Sequence, residues 1–381
     1  MIEIKSDLNP DYSEYGDKAR PFFSIHEPEL DDLENLKQDF ENLIVIGNGG
    51  SITSLRALHY AFRDQHDKNL EIVTTMEPGY LRHVEASVDK EDTVVMPISK
   101  SGSTTGVIES TLYFLNRGYE VIPLTTDQES PLREIAEKRG LQTIDHPDIG
   151  GRFTGLSETA LAPAAMMGLD VRSIFEGGRE MHENLSPGKP NKASKLAQDL
   201  NEAEKIGFSE VLTPFYSTRL FGFYPLLVQL MHESVCKKGE GQTFFGDLGP
   251  EYQHHTNQRL FGGKDDIIPL FIESSHEHLE IDVPKDLSNI NVRGRTLGEL
   301  DGYSYEKSLS SEVEGVKEAL SESSKPFIEL ELKEFNYKSV GGLMAFFQYL
   351  AVYSAWERGV NPFNQPDVEQ SKNIGFKKRF E

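Results

Sequence analysis

Short apolar runs alternate along this chain with stretches whose apolar residues fall at helical spacing. The first clear run is Asn42–Ile46, and others follow at 70–74, 93–98 and 121–124. Between them Leu55, Leu58 and Ala61 line one helix face, as do Val107, Ile108 and the Leu112-Tyr113-Phe114-Leu115 group. A further helix is predicted over 157–167. Alternation of this kind predicts a parallel sheet covered on both faces. A second series starts at 210–216 and passes into a helix over about 218–236. It continues with a strand at 266–272, an excursion over 275–294 that reads as a hairpin, and a mostly polar helix over 299–322. A strand at 326–332 and a strongly apolar helix over 341–356 complete it. The prediction is an α/β protein of two doubly wound halves, each with a mostly parallel sheet in an α/β/α sandwich.

The halves are expected at 41–185 and 190–360, joined by a linker over 184–194 that holds Pro187, Gly188 and Pro190. Residues 1–40 are polar and acidic, are interrupted by Pro10, Pro21 and Pro28, and read as an arm ending in a helix near 29–40. Residues 361–381 form a tail with a short helix that carries Glu369 and Lys372. No internal repeat is clear from identity.

The run at 93–98 leads into Ser99-Lys100-Ser101-Gly102-Ser103-Thr104-Thr105, five hydroxyls and one lysine in seven residues. A strand, a hydroxyl-rich loop and a helix together aim unpaired backbone N–H groups at an anion. Hydroxyls without an arginine cluster suit a small phosphate dianion. The plain alternative is a helix N-cap with extra serines. A second loop, Gly47-Asn48-Gly49-Gly50-Ser51, follows the strand Asn42–Ile46. It lacks the third glycine and the acidic partner of a dinucleotide fingerprint. In a doubly wound sheet both loops sit at carboxyl ends of strands, where such sheets bind ligands, and that shared edge favours phosphate. In Gly150-Gly151-Arg152-Phe153-Thr154, two glycines let backbone approach a ligand beside one fixed cation; the alternative is an ordinary loop with an exposed arginine. Gln229 and Glu233 lie four apart, on one helix face.

The balance of 39 basic against 62 acidic residues, a formal charge of −23, disfavours nonspecific binding to nucleic acid. It also fits a salt-adapted host, in which screening removes self-repulsion. One cysteine, Cys236, excludes an intrachain disulfide and a cysteine-rich metal site. His254 and His255 form a pair, but no carboxylate pattern around them has metal-ligand spacing. No apolar run reaches the ~18 residues of a membrane span. With no basic and apolar leader at the start, the expected compartment is the cytoplasm.

Taken together, these stretches resemble the glucose-6-phosphate isomerase family, built from two sugar-isomerase domains. The resemblance is carried by Ile46–Ser51, the serine loop, Gly150-Gly151-Arg152-Phe153, Gln229 through Glu233-Ser234, Gln253-His254 with Gln258, and Asn361-Pro362-Phe363-Asn364-Gln365 through Glu369 to Lys372. Beyond Glu233-Ser234 the chain reads Val235-Cys236-Lys237-Lys238, where the family usually shows Asn-Gly-Lys. Ahead of His254 stands Leu248-Gly249-Pro250-Glu251-Tyr252 in place of the usual Gly-Thr-Asn-Gly, and His255 is a second candidate for the histidine's role.

The resemblance implies a phosphate site at Gly50, Ser51, Ser99, Ser101 and Thr104, with Lys100 contributing its backbone. It implies Glu233 as the catalytic base, His254 and Lys372 as ring-opening residues, Arg152 beside the developing oxyanion, and Gln229 and Gln365 as substrate-orienting glutamines. It further implies a homodimer in which His254 reaches the partner's site, and no metal or cofactor. The residue types suit the chemistry. Imidazole and amine can open a sugar ring at neutral pH, one carboxylate can move a proton between carbons 2 and 1 through a cis-enediol, and arginine can stabilise negative oxygen. Two other readings accompany this one: a bifunctional phosphoglucose/phosphomannose isomerase, and a noncatalytic sugar-phosphate sensor. The sensor has no need of Glu233, Arg152 and Lys372 together.

Overall fold

The structure, a computed structural model, describes residues 1–8, 26–36, 39–185 and 190–381. Pro10 and Pro21 of the expected arm, and Pro187 and Gly188 of the expected linker, lie outside these residues. The chain opens with β1 (Ile2–Ser6) and the short helix α1 (Leu30–Glu34). There follow β2 (Asn42–Ile46), α2 (Gly50–Phe62), β3 (Asn69–Val73), α3 (Pro78–Ser87), β4 (Thr93–Ser99) and α4 (Thr105–Leu115). Next come β5 (Glu120–Val121), β6 (Leu124–Thr125), α5 (Pro131–Arg139), β7 (Ile144–Asp145) and α6 (Glu158–Met166).

The strands β3-β2-β4-β6-β7 form one parallel sheet in that order, with β5 also beside β4. Side chains of β2 and β4 point alternately to opposite faces. Leu43, Val45, Val94, Met96 and Ile98 join one apolar cluster, while Ile44, Ile46 and Val95 join another. Burial on both faces explains why these strands read as continuous apolar runs. The single strand expected at 121–124 is interrupted, and β5 and β6 lie either side of Ile122-Pro123. Pro123 has no N–H to give the ladder, and Ile122 donates to the Val95 carbonyl at 2.9 Å.

The helices α7 (Val171–Leu185) and α8 (Lys192–Lys205) lead to the second half, so both ends of the expected linker are helical. That half holds β8 (Glu210–Phe215), α9 (Tyr224–Val235), β9 (Thr243–Leu248), α10 (Thr256–Gly262) and β10 (Ile267–Ser274). A hairpin of β11 (Asn291–Val292) and β12 (Arg295–Thr296) occupies the excursion. Helix α11 (Tyr305–Glu322), β13 (Ile328–Leu332), α12 (Tyr337–Glu357) and α13 (Glu369–Lys377) follow. The sheet order is β9-β8-β10-β13-β1, parallel apart from β1, which pairs antiparallel with β13. Two strands differ from expectation. β9 lies in a stretch where none was expected, and β1 turns the start of the arm into an edge strand.

Among the parallel strands of each sheet, taken in chain order, the second lies on one side of the first and the third on the other. This reversal opens a crevice at the carboxyl ends of β2 and β4, where the glycine loop and the serine loop emerge.

The apolar helix α12 runs through the core and crosses α7 with backbones in contact. A Cβ on Gly177 would stand 1.7 Å from the Lys338 carbonyl oxygen, and one on Gly341 would stand 1.8 Å from that of Ile174. Backbone cannot yield as a side-chain tip can, so Gly341→Ala should destabilise by about 1–3 kcal/mol or more. Gly315, exposed within α11, has nothing within 4 Å of its would-be Cβ. Gly315→Ala should therefore stabilise by about 1 kcal/mol. Urea denaturation of the two variants checks both signs.

Candidate active site

The glycine loop between β2 and α2 rests directly on the loop that carries Arg152. A Cβ on Gly50 would lie 2.1 Å from the Gly151 carbonyl carbon, so only glycine permits this approach. Phe153 of the same loop is buried, and its ring meets that of Phe363 at 5.6 Å. These contacts set the start of the Arg152 side chain, which is itself only 2% exposed.

The guanidinium then spans two other parts of the chain. Arg152 Nε donates to Ser234 Oγ at 2.8 Å, and Nη1 donates to Glu233 Oε2 at 3.1 Å and to Gln365 Oε1 at 2.8 Å. Nη2 donates to the Pro362 carbonyl and to that of Asn364 at 3.2 Å. Burial pushes the Arg152 pKa down, while the Glu233 carboxylate opposes the shift. The other Glu233 oxygen accepts from Gln229 Nε2 at 3.0 Å, and Gln229 Oε1 accepts from Thr53 Oγ1 of α2 at 2.9 Å. Glu233 is thus oriented from both sides while 28% of its side chain stays exposed. A carboxylate clamped this way can exchange a proton with a bound molecule, and the adjacent cation can stabilise negative charge on oxygen.

The serine loop lies across the crevice. Ser99 Oγ and Thr104 Oγ1 are 3.0 Å apart, and Ser103 Oγ donates to Ser101 Oγ at 3.0 Å. Thr125 of β6 fixes the loop's start by donating to the Ser99 carbonyl at 2.8 Å. Thr104 precedes the eleven-residue α4, and Gly49 precedes the thirteen-residue α2. Two helix N-termini therefore open at one sheet edge, an arrangement that favours an anion. The Lys100 ammonium pairs with Asp148 at 2.8 Å.

His254 and Lys372 stand apart from this cluster. His254 ends the turn after β9, is exposed, and its side chain makes no hydrogen bond to another described residue. Its neighbour His255 is engaged, with Nδ1 at 2.7 Å from Thr256 Oγ1 and Nε2 at 3.7 Å from Asp247. Lys372 is exposed on α13 and pairs with Glu369 at 2.8 Å. Arg379, beyond α13, ties this tail to α4 through Glu109 at 2.8 Å. Among the described residues, no group of three or more metal-binding side chains occurs and no helix is long and apolar enough to cross a membrane.

The residue that sequence reasoning missed is Lys237, which it noted only as part of a departure. Lys237 is 9% exposed, and its Nζ donates to the Ser234 carbonyl at 2.9 Å and to the Asn361 carbonyl. It pins the end of the helix that carries Glu233 to the segment that carries Gln365. A lysine one turn beyond a candidate base was visible, but its two backbone partners were not.

No family model matches the chain. A glucose-6-phosphate isomerase of Thermus thermophilus is 32% identical over 356 residues, 87% of this chain and 82% of the relative. A probable glucose-6-phosphate isomerase of Haloarcula marismortui is 28% identical over 348 residues, 88% of this chain and 77% of the relative. Among solved structures, a glucose-6-phosphate isomerase from Chlamydia trachomatis has the same fold, with a TM-score of 0.75 at 22% identity. The alignment covers 91% of this chain and 71% of that one.

Burial, and next the Arg152 cation, push the Lys237 pKa down to about 8 from an ordinary 10.5. The unfolded chain therefore binds the proton more tightly, and the penalty for folding the ammonium form is full below pH 8 and fades as pH rises from 8 to 10.5. The stability of the wild type relative to Lys237→Met should accordingly increase with pH across that window. Paired melting curves read the difference, and a flat one would contradict it.

Proposed function

Because the chain belongs to the glucose-6-phosphate isomerase family, we propose that it interconverts glucose 6-phosphate and fructose 6-phosphate, with its site where Arg152 meets Glu233. The observation that carries this reading is the convergence of three distant segments on one guanidinium. Arg152, Glu233 with Gln229, and Gln365 are joined by direct hydrogen bonds. The chain folds as two sugar-isomerase domains, proposed at 41–185 and 190–360, with residues 361–381 as a tail.

In this proposal the phosphate is held by Ser51, Ser99, Ser101 and Thr104 and by backbone N–H groups at Gly50 and Lys100. Remote binding of this kind fixes the reacting carbons in place. His254, supplied by a partner subunit, and Lys372 open the ring by moving protons at the ring oxygen and the anomeric hydroxyl. Glu233 then takes the proton from carbon 2 and returns it to carbon 1. Arg152 faces the oxygens that gain charge in the cis-enediol, and Gln229 and Gln365 orient the substrate. The exposure of His254, whose side chain has no hydrogen-bond partner among the described residues, supports its use by a neighbouring one.

A coupled assay from fructose 6-phosphate, reading glucose and mannose 6-phosphates separately, tests the activity. Glucose 6-phosphate alone is expected, and Glu233→Gln should lower kcat by about a thousandfold, the scale of a lost general base. Appearance of mannose 6-phosphate as well would make the enzyme bifunctional. Binding without turnover would leave a sensor.

Subunit mixing tests the shared site. Glu233→Gln and His254→Ala chains, each inactive alone, should on exchange regain about a quarter of wild-type activity, since half the dimers then hold one intact site of two. No recovery despite proven exchange would place His254 in its own subunit's site.

A further inference from the structure

We propose that the cavity between α2 and the turn leading into α9 is a binding site for a small organic monoanion, a carboxylate on a flat apolar body, separate from the Arg152–Glu233 centre. The cavity measures about 370 Å³ and is walled by Tyr60, Tyr80, Phe221 and Tyr224, with Arg56 and His59 at its polar side. That volume lies within the range of small-molecule pockets. Phe221 and Tyr224 stack with ring centroids 5.8 Å apart and planes 5° apart, and so present one flat aromatic wall.

Arg56 supplies the anchor. It is half-buried and, among the described residues, its side chain makes no hydrogen bond or ion pair. Other arginines of similar or greater burial face carboxylates: Arg133 pairs with Asp145, Arg152 with Glu233, Arg259 with Asp266 and Arg358 with Glu204. In a chain with 62 acidic residues against 39 basic ones, a half-buried guanidinium without a carboxylate is out of pattern. Leaving such a cation unpaired costs stability, and a planar fork of donors matches a carboxylate.

The polar groups nearby set the ligand's charge. His59 lines the same cavity, and its Nδ1 is buried without a hydrogen bond among the described residues. Burial holds that ring neutral, with a pKa of about 4, so it adds no charge at neutral pH. Burial and then the Glu71 carboxylate raise the Tyr80 pKa, and the Arg56 cation opposes them. A single guanidinium, with no other lysine or arginine lining the cavity among the described residues, suits a monoanion better than a phosphate dianion. An occupant would touch both α2, which begins at the glycine loop, and Tyr224, which begins the helix that carries Glu233.

The probe is 4-fluorobenzoate, followed by fluorine NMR with the full chain in the presence of saturating fructose 6-phosphate. Binding should persist under that competitor, weaken about tenfold or more in Arg56→Met, and be lost for the neutral 4-fluorobenzyl alcohol. Arg56→Gln gives the same comparison should the Met variant fail to fold. Displacement by fructose 6-phosphate, equal binding by the arginine variants, equal binding by the alcohol, or no binding at millimolar probe would each overturn the proposal. The Arg56 comparison does not depend on whether fructose 6-phosphate binds, so its failure is distinct from failure of the proposed activity.

Discussion

One buried guanidinium holds the site together. Arg152 enters from a loop pressed against the glycine turn and meets acceptors on α9 and on the segment ahead of α13. A buried cation is tolerable only when its donors are matched, and here Arg152 Nε and both terminal nitrogens have acceptors. Loss of the cation would leave Glu233 without its positive neighbour and several carbonyl oxygens without a donor. Neither half of the fold can form this cluster alone, so the chemistry of the crevice depends on the two halves docking. Lys237 reinforces the same joint from behind through two carbonyls.

The proposed anion-binding side is built differently. Its side-chain donors are neutral hydroxyls, and the nearest ammonium, Lys100, is engaged by Asp148. Helix N-termini and backbone N–H groups must then supply most of the attraction for a phosphate. Neutral donors at fixed positions suit a chain whose surface is strongly acidic, because they do not draw neighbouring carboxylates into the crevice. They also lose less of their pull as salt rises than exposed ion pairs do.

Elements with burial on two faces were plain from apolar runs, and for that reason β2, β4, β8 and α12 fall where the pattern puts them. β9 was hidden because Gly246 and Asp247 break its apolar run. Gly246 is required there, since a Cβ would stand 2.2 Å from Thr213 Oγ1. β1 was hidden because Glu3 and Lys5 alternate with Ile2 and Ile4, a pattern that an edge strand allows and an acidic context obscures. Helix α7 carries Gly177-Gly178 where it meets Lys338 and Leu156. In the site, residue types and spacing pointed to Arg152 and to the face shared by Gln229 and Glu233, and the family resemblance added Gln365. Their mutual contacts, and the carbonyls of Pro362 and Asn364, depend on tertiary geometry that spacing does not encode.

The pairing of β1 with β13 has a consequence for how the chain is made. Residues Ile2–Ser6 leave the ribosome long before their partners Ile328–Leu332. The first sheet draws its strands from a continuous segment and can assemble during synthesis. The second must wait, with β1 unpaired on this flank until β13 has emerged. Contacts of such long sequence separation are slow to form. The enzyme is therefore built from one half that matures early and one that is closed by a strand made long before its partner.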